Sequence, residues 1–338
     1  MNRMDSAAVY IMKLLGSYGN SQILNTALEY DIFTHISNGA HSLTELANKT
    51  NTNEKALSIL LDALLALNFL KKENGNYHLT PSSRTYLVKD SLKYLGNFRY
   101  TALWAYEGMT YLKDIIKTGK NTQRLSLENP DTYWEKLSLG LAHFTKPSAE
   151  YLCEILKNNN IPKGIKVLDV GGGCGIFAAS LLKYDPTIKF YQLDLPEVNK
   201  MARKFLASKG IGVNKVQFIE GDIKKTELPE ETFDLVILSN ICHHEDALGN
   251  IELFKKAYKT LVFGGKIIIN DFLVNDEYTG PRFSLLFRVM MLIMNPKGGV
   301  YSFKEYKNGL SEVGFKEMNI YQPIPNTYED VTIIIGNK

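Results

Sequence analysis

The chain has 338 residues, 45% of them hydrophobic, which is enough for a sizeable core in two domains. Its 39 Lys and Arg against 36 Asp and Glu leave a net charge of +3, so a strongly basic nucleic-acid-binding surface is not indicated. The three cysteines lack metal-type spacing, and neither a signal pattern nor a bilayer-spanning apolar run is visible. We therefore expect a cytoplasmic protein without nucleic-acid or membrane partners.

The first part of the chain has the pattern of a helical module that ends in a hairpin. Apolar residues recur at helical intervals over 7–36, with more apolar surface than one small domain can cover. Ser42-Leu-Thr-Glu45 is a capping box that opens one helix, and Thr52 or Asn53 can cap a second. Residues 69–79 are typical of a hairpin. Helix, turn, helix and hairpin together predict a winged helix.

A winged helix suggests one class of function at once, a DNA-binding regulator. Its second helix, residues 54–67, carries one Lys, two acids and mostly apolar side chains. Such a helix offers almost nothing to phosphates or base edges. We therefore predict that this winged helix is a packing module.

Two further stretches are rich in large apolar side chains. Residues 95–145 are predicted to be helical and aromatic-rich, with Trp104 among them, and residues 287–294 include Met290, Met291 and Met294. Side chains of these types at helical spacing lie more often in a core than in a pocket. A flat aromatic ligand would nevertheless suit such walls, because offset stacking fixes the orientation of a ring.

Residues 166–175, Lys-Val-Leu-Asp-Val-Gly-Gly-Gly-Cys-Gly, predict a buried strand that runs into a glycine turn and then a helix. Glycine permits positive φ and close approach of a ligand, and the amides of the helix start face the turn. The spacing is G-x-G-x-G, whereas the dinucleotide fingerprint G-x-G-x-x-G needs glycine where Ile176 stands. Asp169 in the strand would repel a pyrophosphate. The stretch therefore argues against NAD and for a cofactor with a cationic end.

Alternating strand and helix patterns follow, which predict a mostly parallel sheet with helices on both faces. Asp194, Asp222 and His243 each fall just past a predicted strand, and ligands of such sheets bind beyond the carboxyl ends of the strands. An acid at the place of Asp194 can accept from both hydroxyls of an adenosine ribose. Taken alone, the glycine turn is equally a tight connection and Asp222 a plain turn acid. The further predicted strands are 189–193, 216–219, 235–238, 266–269, 315–321 and 331–335.

The stretch 169–175 resembles the first motif of the class I methyltransferases that depend on S-adenosylmethionine (SAM), apolar-apolar-Asp-apolar-Gly-x-Gly-x-Gly. More narrowly, the chain resembles the two-domain small-molecule O-methyltransferases, which include plant phenylpropanoid enzymes and bacterial antibiotic-tailoring enzymes. The resemblance covers nearly the whole chain, with several motifs in the right order. They are Asp169-Val-Gly-Gly-Gly-Cys-Gly175, Asp194-Leu-Pro-Glu-Val198, Gly221-Asp222 and Ile241-Cys-His243.

The resemblance implies an α/β fold: a Rossmann-like, seven-stranded, mostly parallel sheet in a catalytic domain at 149–338. Before it, residues 1–148 would form a helical winged-helix dimerisation domain that also covers part of the partner's substrate site in a homodimer. SAM is the implied cofactor, S-adenosylhomocysteine (SAH) its product, and a small aromatic or polyketide-like molecule the acceptor. The family lines its acceptor cavity with the segments that carry Trp104, Met290, Met291 and Met294 here.

The first motif and the acid after the next strand would hold the methionine and ribose parts of SAM. The resemblance gives Asp169 the ammonium group of the methionine moiety, with Gly171 and Gly173 permitting close approach. Asp194 would accept from the ribose hydroxyls, and Leu195 would lie beneath the adenine.

The remaining cofactor contacts come from later motifs. Gly221-Asp222-Ile223 resembles a family turn in which the acid accepts from the adenine amine and the next residue covers the ring. Ser239 stands where the plant enzymes have a Lys. Either Thr145 or Ser148 would reach the carboxylate of the cofactor.

His243 is the predicted catalytic base. A phenol with a pKa near 10 is mostly protonated at neutral pH and is then a poor nucleophile. An imidazole with a pKa near 6.5 accepts that proton as attack begins, which contributes roughly 10²- to 10⁴-fold to the rate. By resemblance, Asp271 orients this base. The second supporting acid of the family, expected after a Gly-Gly pair, is replaced by Val300.

Several alternatives stay open. The pair His243-His244 with nearby acids could hold a metal, as a minority of related C-methyltransferases do, although Asn295 is a poor third ligand. We predict no metal, and we interpret His244 as a solvated residue at a helix start. The scaffold would equally suit C-, N- or S-methylation, or a SAM-binding protein that does not methylate.

Overall fold

The structure is a computed structural model. It describes residues 6–91, 93–119, 130–159, 161–295, 297–322, 324 and 331–338, without the side chains of 130–137 and 213. Residues 120–129 of the segment predicted as helical lie outside this description. The chain forms two compact units, Met1–Trp104 and Ala105–Lys338. The predicted boundary at 148/149 falls within the helix Pro130–Asn158 of the second unit. A functional division there stays a prediction.

The first unit is mostly helical and contains one antiparallel hairpin. Two helices, Leu43–Thr50 and Glu54–Ala66, are followed by the hairpin strands Leu70–Glu73 and Asn76–Leu79, which is the order predicted for a winged helix. None of the described helices in either unit is long and apolar enough to cross a bilayer. The elements of the first unit are α1 (Ser6–Gly16), α2 (Tyr18–Glu29), α3 (Ile32–Ser37), α4 (Leu43–Thr50), α5 (Glu54–Ala66), β1 (Leu70–Glu73), β2 (Asn76–Leu79), α6 (Pro81–Tyr86) and the start of α7 (Phe98–Thr110).

Local sequence signals explain where these helices begin. The Ser42 side chain accepts from the Glu45 amide while the Glu45 carboxylate accepts from the Ser42 amide, which is the predicted capping box at α4. Asn53 caps α5 by accepting from the Ala56 amide at 3.0 Å. Each cap satisfies amides that have no partner within the helix, and removing one typically costs about 1 kcal/mol.

Helix α1 stands apart from the core of this unit. None of its residues is buried. Tyr10, Ile11, Met12, Leu14 and Leu15 are all exposed. An apolar face of this size in water is typical of a surface that packs against another protein.

The second unit is a seven-stranded sheet between helices. In spatial order, its strands are β5 (Val216–Glu220), β4 (Lys189–Asp194), β3 (Lys166–Val170), β6 (Phe233–Ser239), β7 (Leu261–Phe272), β9 (Val331–Asn337) and β8 (Lys316–Tyr321). Only β9 runs antiparallel to its neighbours in the described sheet. The predicted Rossmann-like, mostly parallel sheet is confirmed. The elements are α8 (Leu112–Thr118), α9 (Pro130–Asn158), β3 (Lys166–Val170), α10 (Ile176–Tyr184), β4 (Lys189–Asp194), α11 (Pro196–Ser208), β5 (Val216–Glu220), β6 (Phe233–Ser239), α12 (Ala247–Thr260), β7 (Leu261–Phe272), α13 (Arg282–Met294), α14 (Phe303–Val313), β8 (Lys316–Tyr321) and β9 (Val331–Asn337), with 3₁₀ turns at Val213–Lys215 and Cys242–His244.

Strand β3 is central because it is covered on both faces. Val167 packs in one apolar cluster, with side chains of α9, α10 and α11, while Leu168 packs in the other, with side chains of α12 and α14. Successive side chains of a strand point to opposite faces, so a continuous apolar run is what a doubly covered strand requires. The loops that follow β3, β4, β5 and β6 therefore meet at one fixed edge of the sheet.

Candidate active site

A cavity of about 400 Å³ lies at this edge, within the second unit. Its volume is in the range of ordinary small-molecule sites. The loops after four strands and the helix α9 form its walls. The predicted site residues on these walls are Thr145, Asp169, Gly171, Gly173, Asp194, Leu195, Gly221, Asp222, Ile223, Ser239 and His243.

The glycine turn after β3 has no room for side chains. Gly171 has φ +69°, and a Cβ there would lie 2.3 Å from Cδ1 of Ile241. Gly173 has φ +56°, and its Cβ would lie 2.6 Å from Oγ of Ser138 on α9. Both positions need glycine for conformation and for space, since such φ values are strained for other residues. The cavity floor is consequently bare backbone.

We expect Gly171→Ala to weaken SAH binding at least about tenfold, because Ile241 on the cavity wall must shift and the φ is strained. Isothermal titration calorimetry would measure this. Gly164→Ala is the matched control: φ there is also positive, +73°, but the nearest atom to its Cβ lies 3.6 Å away, at Thr187. The control should lose some thermal stability and keep its affinity. Equal affinity of both variants would contradict the close approach.

Asp169 is a carboxyl group buried at the end of β3. Its exposure is 0%, and neither carboxyl oxygen has a hydrogen-bond partner among the described residues. Burial, with a smaller contribution from the charge of Asp194, raises the pKa of Asp169 to about 8. An unpaired buried carboxyl is costly to keep in a fold, and a cationic ligand group at this position would relieve that cost.

Asp194 ends β4 and is held by two backbone amides. Its Oδ2 accepts from the Gly173 amide and its Oδ1 from the Leu195 amide, both at 2.8 Å. Burial raises the pKa of Asp194 above its ordinary value, and these two hydrogen bonds oppose that rise. The carboxylate is thereby fixed in orientation on the cavity wall, with lone pairs left for hydroxyl donors.

The turn after β5 connects the cavity to the loop after β6. Oδ1 of Asp222 accepts from the Lys224 amide at 2.8 Å, as a turn acid does, and Asp222 also lines the cavity. Nζ of Lys224 lies 2.7 Å from Oε1 of Glu245. Glu245 is buried at 8% exposure and belongs to the cavity wall. This ion pair, which the sequence did not indicate, ties two walls of the cavity together.

Two smaller predictions concern hydroxyl groups. Oγ of Ser239 accepts from Nδ2 of Asn270 at 2.9 Å, so the position where the plant enzymes have a Lys is a neutral, tethered hydroxyl here. Of the two candidates on α9 for the cofactor carboxylate, Thr145 lines the cavity. Ser148 has 0% exposure and is not on the cavity wall. The geometry therefore favours Thr145.

His243 and Asp271 form a buried pair. Nδ1 of His243 lies 2.6 Å from Oδ1 of Asp271, with exposures of 5% and 0%. The rings of His243 and Phe287 pack edge to face, with an interplanar angle of 90° and centroids 5.0 Å apart. An ionised carboxylate accepts, so Nδ1 donates, and Nε2 remains as the nitrogen for a proton from a ligand. His243 lines the cavity and Asp271 does not.

The backbone around His243 is anchored from outside its own turn. Three consecutive carbonyl groups accept hydrogen bonds from side chains or backbone distant in sequence. The Cys242 carbonyl accepts from Nδ2 of Asn250 at 3.0 Å. The His243 carbonyl accepts from the Gly299 amide at 2.9 Å, and the His244 carbonyl accepts from Nδ2 of Asn295 at 2.6 Å. His243 therefore sits on a fixed turn, which positioning at ångström accuracy requires.

His244 differs from the prediction. It ends a 3₁₀ turn, is half-buried and lines the cavity, so it is not a solvated residue at a helix start. Burial, aided by the charges of His243 and Lys224, lowers the pKa of His244 to about 3. It is therefore neutral near pH 7 and a weak base. Among the described residues, no group of three His, Cys, Asp or Glu side chains could hold a metal ion.

The methionines predicted to line the acceptor pocket do not lie on the cavity wall. Met291 is 1% exposed and packs in a closed cluster with Val274 and Val300, which is a core contact and differs from the predicted pocket position. Met290 and Met294 are partly buried against the same cluster. None of the three lines the cavity of the second unit. Trp104 belongs to the first unit, and its role stays a prediction.

Comparison with known proteins identifies the family. Residues 147–316 match the model of an O-methyltransferase domain. The chain belongs to the O-methyltransferase family. Residues 12–89 match the O-methyltransferase dimerisation domain. This O-methyltransferase is an enzyme that uses SAM.

Similar proteins cover nearly the whole length of this O-methyltransferase. The 3-hydroxy-5-methyl-1-naphthoate 3-O-methyltransferase of Streptomyces sahachiroi is 27% identical over 88% of this chain and 86% of its own. The bacteriochlorophyllide d C-20 methyltransferase of Chlorobaculum tepidum is 26% identical over 88% of each chain. The structure of human N-acetylserotonin methyltransferase in complex with SAM matches with a TM-score of 0.85 at 22% identity, over 100% of this chain and 99% of that one.

Proposed function

We propose that this O-methyltransferase transfers a methyl group to a hydroxyl of a small aromatic or polyketide-like molecule, with His243 as the base. The observation that carries the proposal is the buried His243–Asp271 pair, whose imidazole lines the same cavity as Asp169, a carboxyl group with no hydrogen-bond partner among the described residues. A cationic cofactor and a proton acceptor are the two things that such a reaction needs from one site.

His243 takes the proton of the acceptor hydroxyl at Nε2 as the oxygen attacks. When bound, SAM supplies an electrophilic methyl group on a positively charged sulfur. Asp271 keeps Nδ1 protonated and stabilises the imidazolium that forms. The fixed turn of His243 holds this nitrogen in place, so oxygen, methyl carbon and sulfur can align for in-line displacement.

The cavity walls divide among the parts of the cofactor. Asp169 binds the ammonium group, since it is a carboxyl without another partner among the described residues. Asp194 accepts from the ribose hydroxyls, with its orientation fixed by two amides. Leu195 and Ile223 cover the adenine ring, and Asp222 accepts from its amine.

The remaining proposals concern the oligomeric state, the acceptor pocket and the cellular location. We infer a homodimer, because the dimerisation domain begins within α1, whose apolar face is exposed. Trp104, Met290 and Met294 are proposed to border the acceptor. The three cysteines are free thiols, which suits the reducing cytoplasm, where we place the enzyme.

Ligand-induced stabilisation tests the cofactor site. We expect SAM and SAH at 100 times their Kd to stabilise the protein by about 2.7 kcal/mol, seen as a rise in Tm, because both bind only the folded state. NAD should produce no rise, because Ile176 stands where the dinucleotide fingerprint G-x-G-x-x-G needs its third glycine. Stabilisation by NAD and not by SAH would contradict the assigned cavity.

Transfer to carbon is the second candidate, since a similar protein is named as a C-20 methyltransferase. N- and S-methylation are further variants on the same scaffold. Assays with radiolabelled methyl groups on panels of phenols, amines, thiols and activated carbon acids separate these reactions. A product methylated only on carbon would replace the proposed hydroxyl acceptor.

A further inference from the structure

Asp271 receives a hydrogen bond from a residue that no sequence motif indicated. Its Oδ1 accepts from Nδ1 of His243 at 2.6 Å and from the Phe272 amide at 2.9 Å. Its Oδ2 accepts from the His243 amide at 3.2 Å and from the hydroxyl of Tyr306 at 3.3 Å. The first three donors belong to the pair itself or its neighbour in sequence. The fourth is brought in by α14.

The side chain of Tyr306 is held in one place. It is 2% exposed, and its ring packs against Phe254 and Tyr301, with centroids 6.4 and 5.7 Å away. A ring confined in this way presents its hydroxyl in one direction, so the hydrogen bond to Asp271 loses little entropy. Tyr306 is thus built into the support of the base.

Val300 stands where the family resemblance predicts a second supporting acid. It is 3% exposed and packs with Val274 and Met291. A second carboxylate beside the pair would add negative charge, stabilise the protonated imidazolium form of His243 and so make His243 a stronger base. A hydroxyl that donates to Asp271 has the opposite effect, because it draws charge away from the carboxylate that faces the imidazole.

We propose that Tyr306 is a positioning residue of the methyl transfer, whose hydroxyl holds the Asp271 carboxylate in its orientation and so sets the base strength of His243. The inference rests on the proposed function of His243. Tyr306 does not line the cavity that holds the proposed cofactor site. It acts through Asp271, and the hydrogen bond to a buried carboxylate is of the charge-assisted, stronger kind.

The neighbouring titratable groups do not obscure this effect. Burial raises the pKa values of Cys242 and Tyr306 well above their ordinary values. Burial lowers the pKa of His244 to about 3. These three groups keep one neutral form between pH 5 and 9. Further titratable or charged groups close to this turn, among the described residues, include Tyr301, whose hydroxyl donates to the Glu245 carbonyl, and the ion pair of Glu245 with Lys224.

Tyr306→Phe tests the proposal, because it removes only the hydroxyl and keeps the packed ring. We expect kcat/KM for a phenolic acceptor to fall about tenfold. The acid limb of the pH profile of kcat/KM should move to higher pH by about half a unit, because the Asp271 carboxylate, without the Tyr306 hydrogen bond, stabilises the His243 imidazolium more strongly. The matched control is Tyr258→Phe, a partly buried tyrosine of the same apolar cluster. It should leave the acid limb in place.

A measurement without turnover separates this inference from the proposed function. The Nδ1 proton of His243, in a 2.6 Å hydrogen bond, should give a low-field proton resonance. In Tyr306→Phe we expect that resonance to move further downfield, and in Tyr258→Phe to stay. A moved resonance with an unmoved acid limb would support the positioning by Tyr306 and remove His243 as the base. If neither moves in a folded Tyr306→Phe protein, the proposal is overturned.

Discussion

His243→Ala is expected to lower kcat for a phenolic acceptor by roughly 10²- to 10⁴-fold, the contribution of a positioned general base. The affinity for SAH should stay near that of the unchanged protein, because the cofactor contacts come from the loops after β3, β4 and β5. Single-turnover kinetics with radiolabelled SAM would measure the chemical step, and calorimetry the affinity.

His244→Ala is the matched comparison for this prediction, since the two histidines are neighbours on the same cavity wall, with ring centroids 4.4 Å apart. Because its pKa of about 3 makes His244 a weak base, its removal should cost far less activity. Imidazole added to the solution should restore part of the activity of His243→Ala only. The reverse order of the two losses would move the base to His244.

Binding of SAH is expected to tighten as pH rises from 6 to 8, by up to about tenfold per pH unit. The pKa of Asp169 in the free protein is about 8, so its carboxyl group is protonated and neutral below that pH. An ammonium group prefers the carboxylate, so binding must release the proton. The Kd therefore falls as pH approaches 8 and levels off above it. Calorimetry in buffers of different ionisation enthalpy would count the released proton.

Asp169→Asn is the control for this pH dependence. The amide has nearly the same shape but does not ionise, so its affinity should be low and the same at every pH in this range. The proton released on binding should also disappear. A wild-type Kd that does not change between pH 6 and 8 would exclude the contact between Asp169 and the ammonium group.

The fold could be predicted largely from local signals. The capping box at Ser42, the alternation of strands and helices, and the glycine turn after β3 each depend on residues adjacent in sequence. The same holds for Asp169, Asp194 and Asp222, because the end of a parallel strand is visible in the sequence and fixes the edge at which its loop lies. The structure brings these three acids to one cavity, together with His243.

Contacts between distant segments could not be predicted in this way. Tyr306 reaches Asp271 because α14 packs beside α12 on one face of the sheet, and a lone tyrosine in an amphipathic helix carries no signal of that contact. The ion pair of Lys224 with Glu245 joins loops after two non-adjacent strands. Met291 was predicted to face a pocket because the family lines its acceptor cavity with this segment, but a methionine side chain suits a core equally well.

The ion pair of Lys224 with Glu245 has a kinetic consequence. It fastens the loop over the proposed adenine position to the loop that carries His243. The product SAH, enclosed by these two loops, would leave faster when the loops separate, and their separation breaks the ion pair. Dissolved ions screen a lysine that is 54% exposed. We therefore expect the rate of product release to rise with ionic strength, while the rate of methyl transfer itself stays the same.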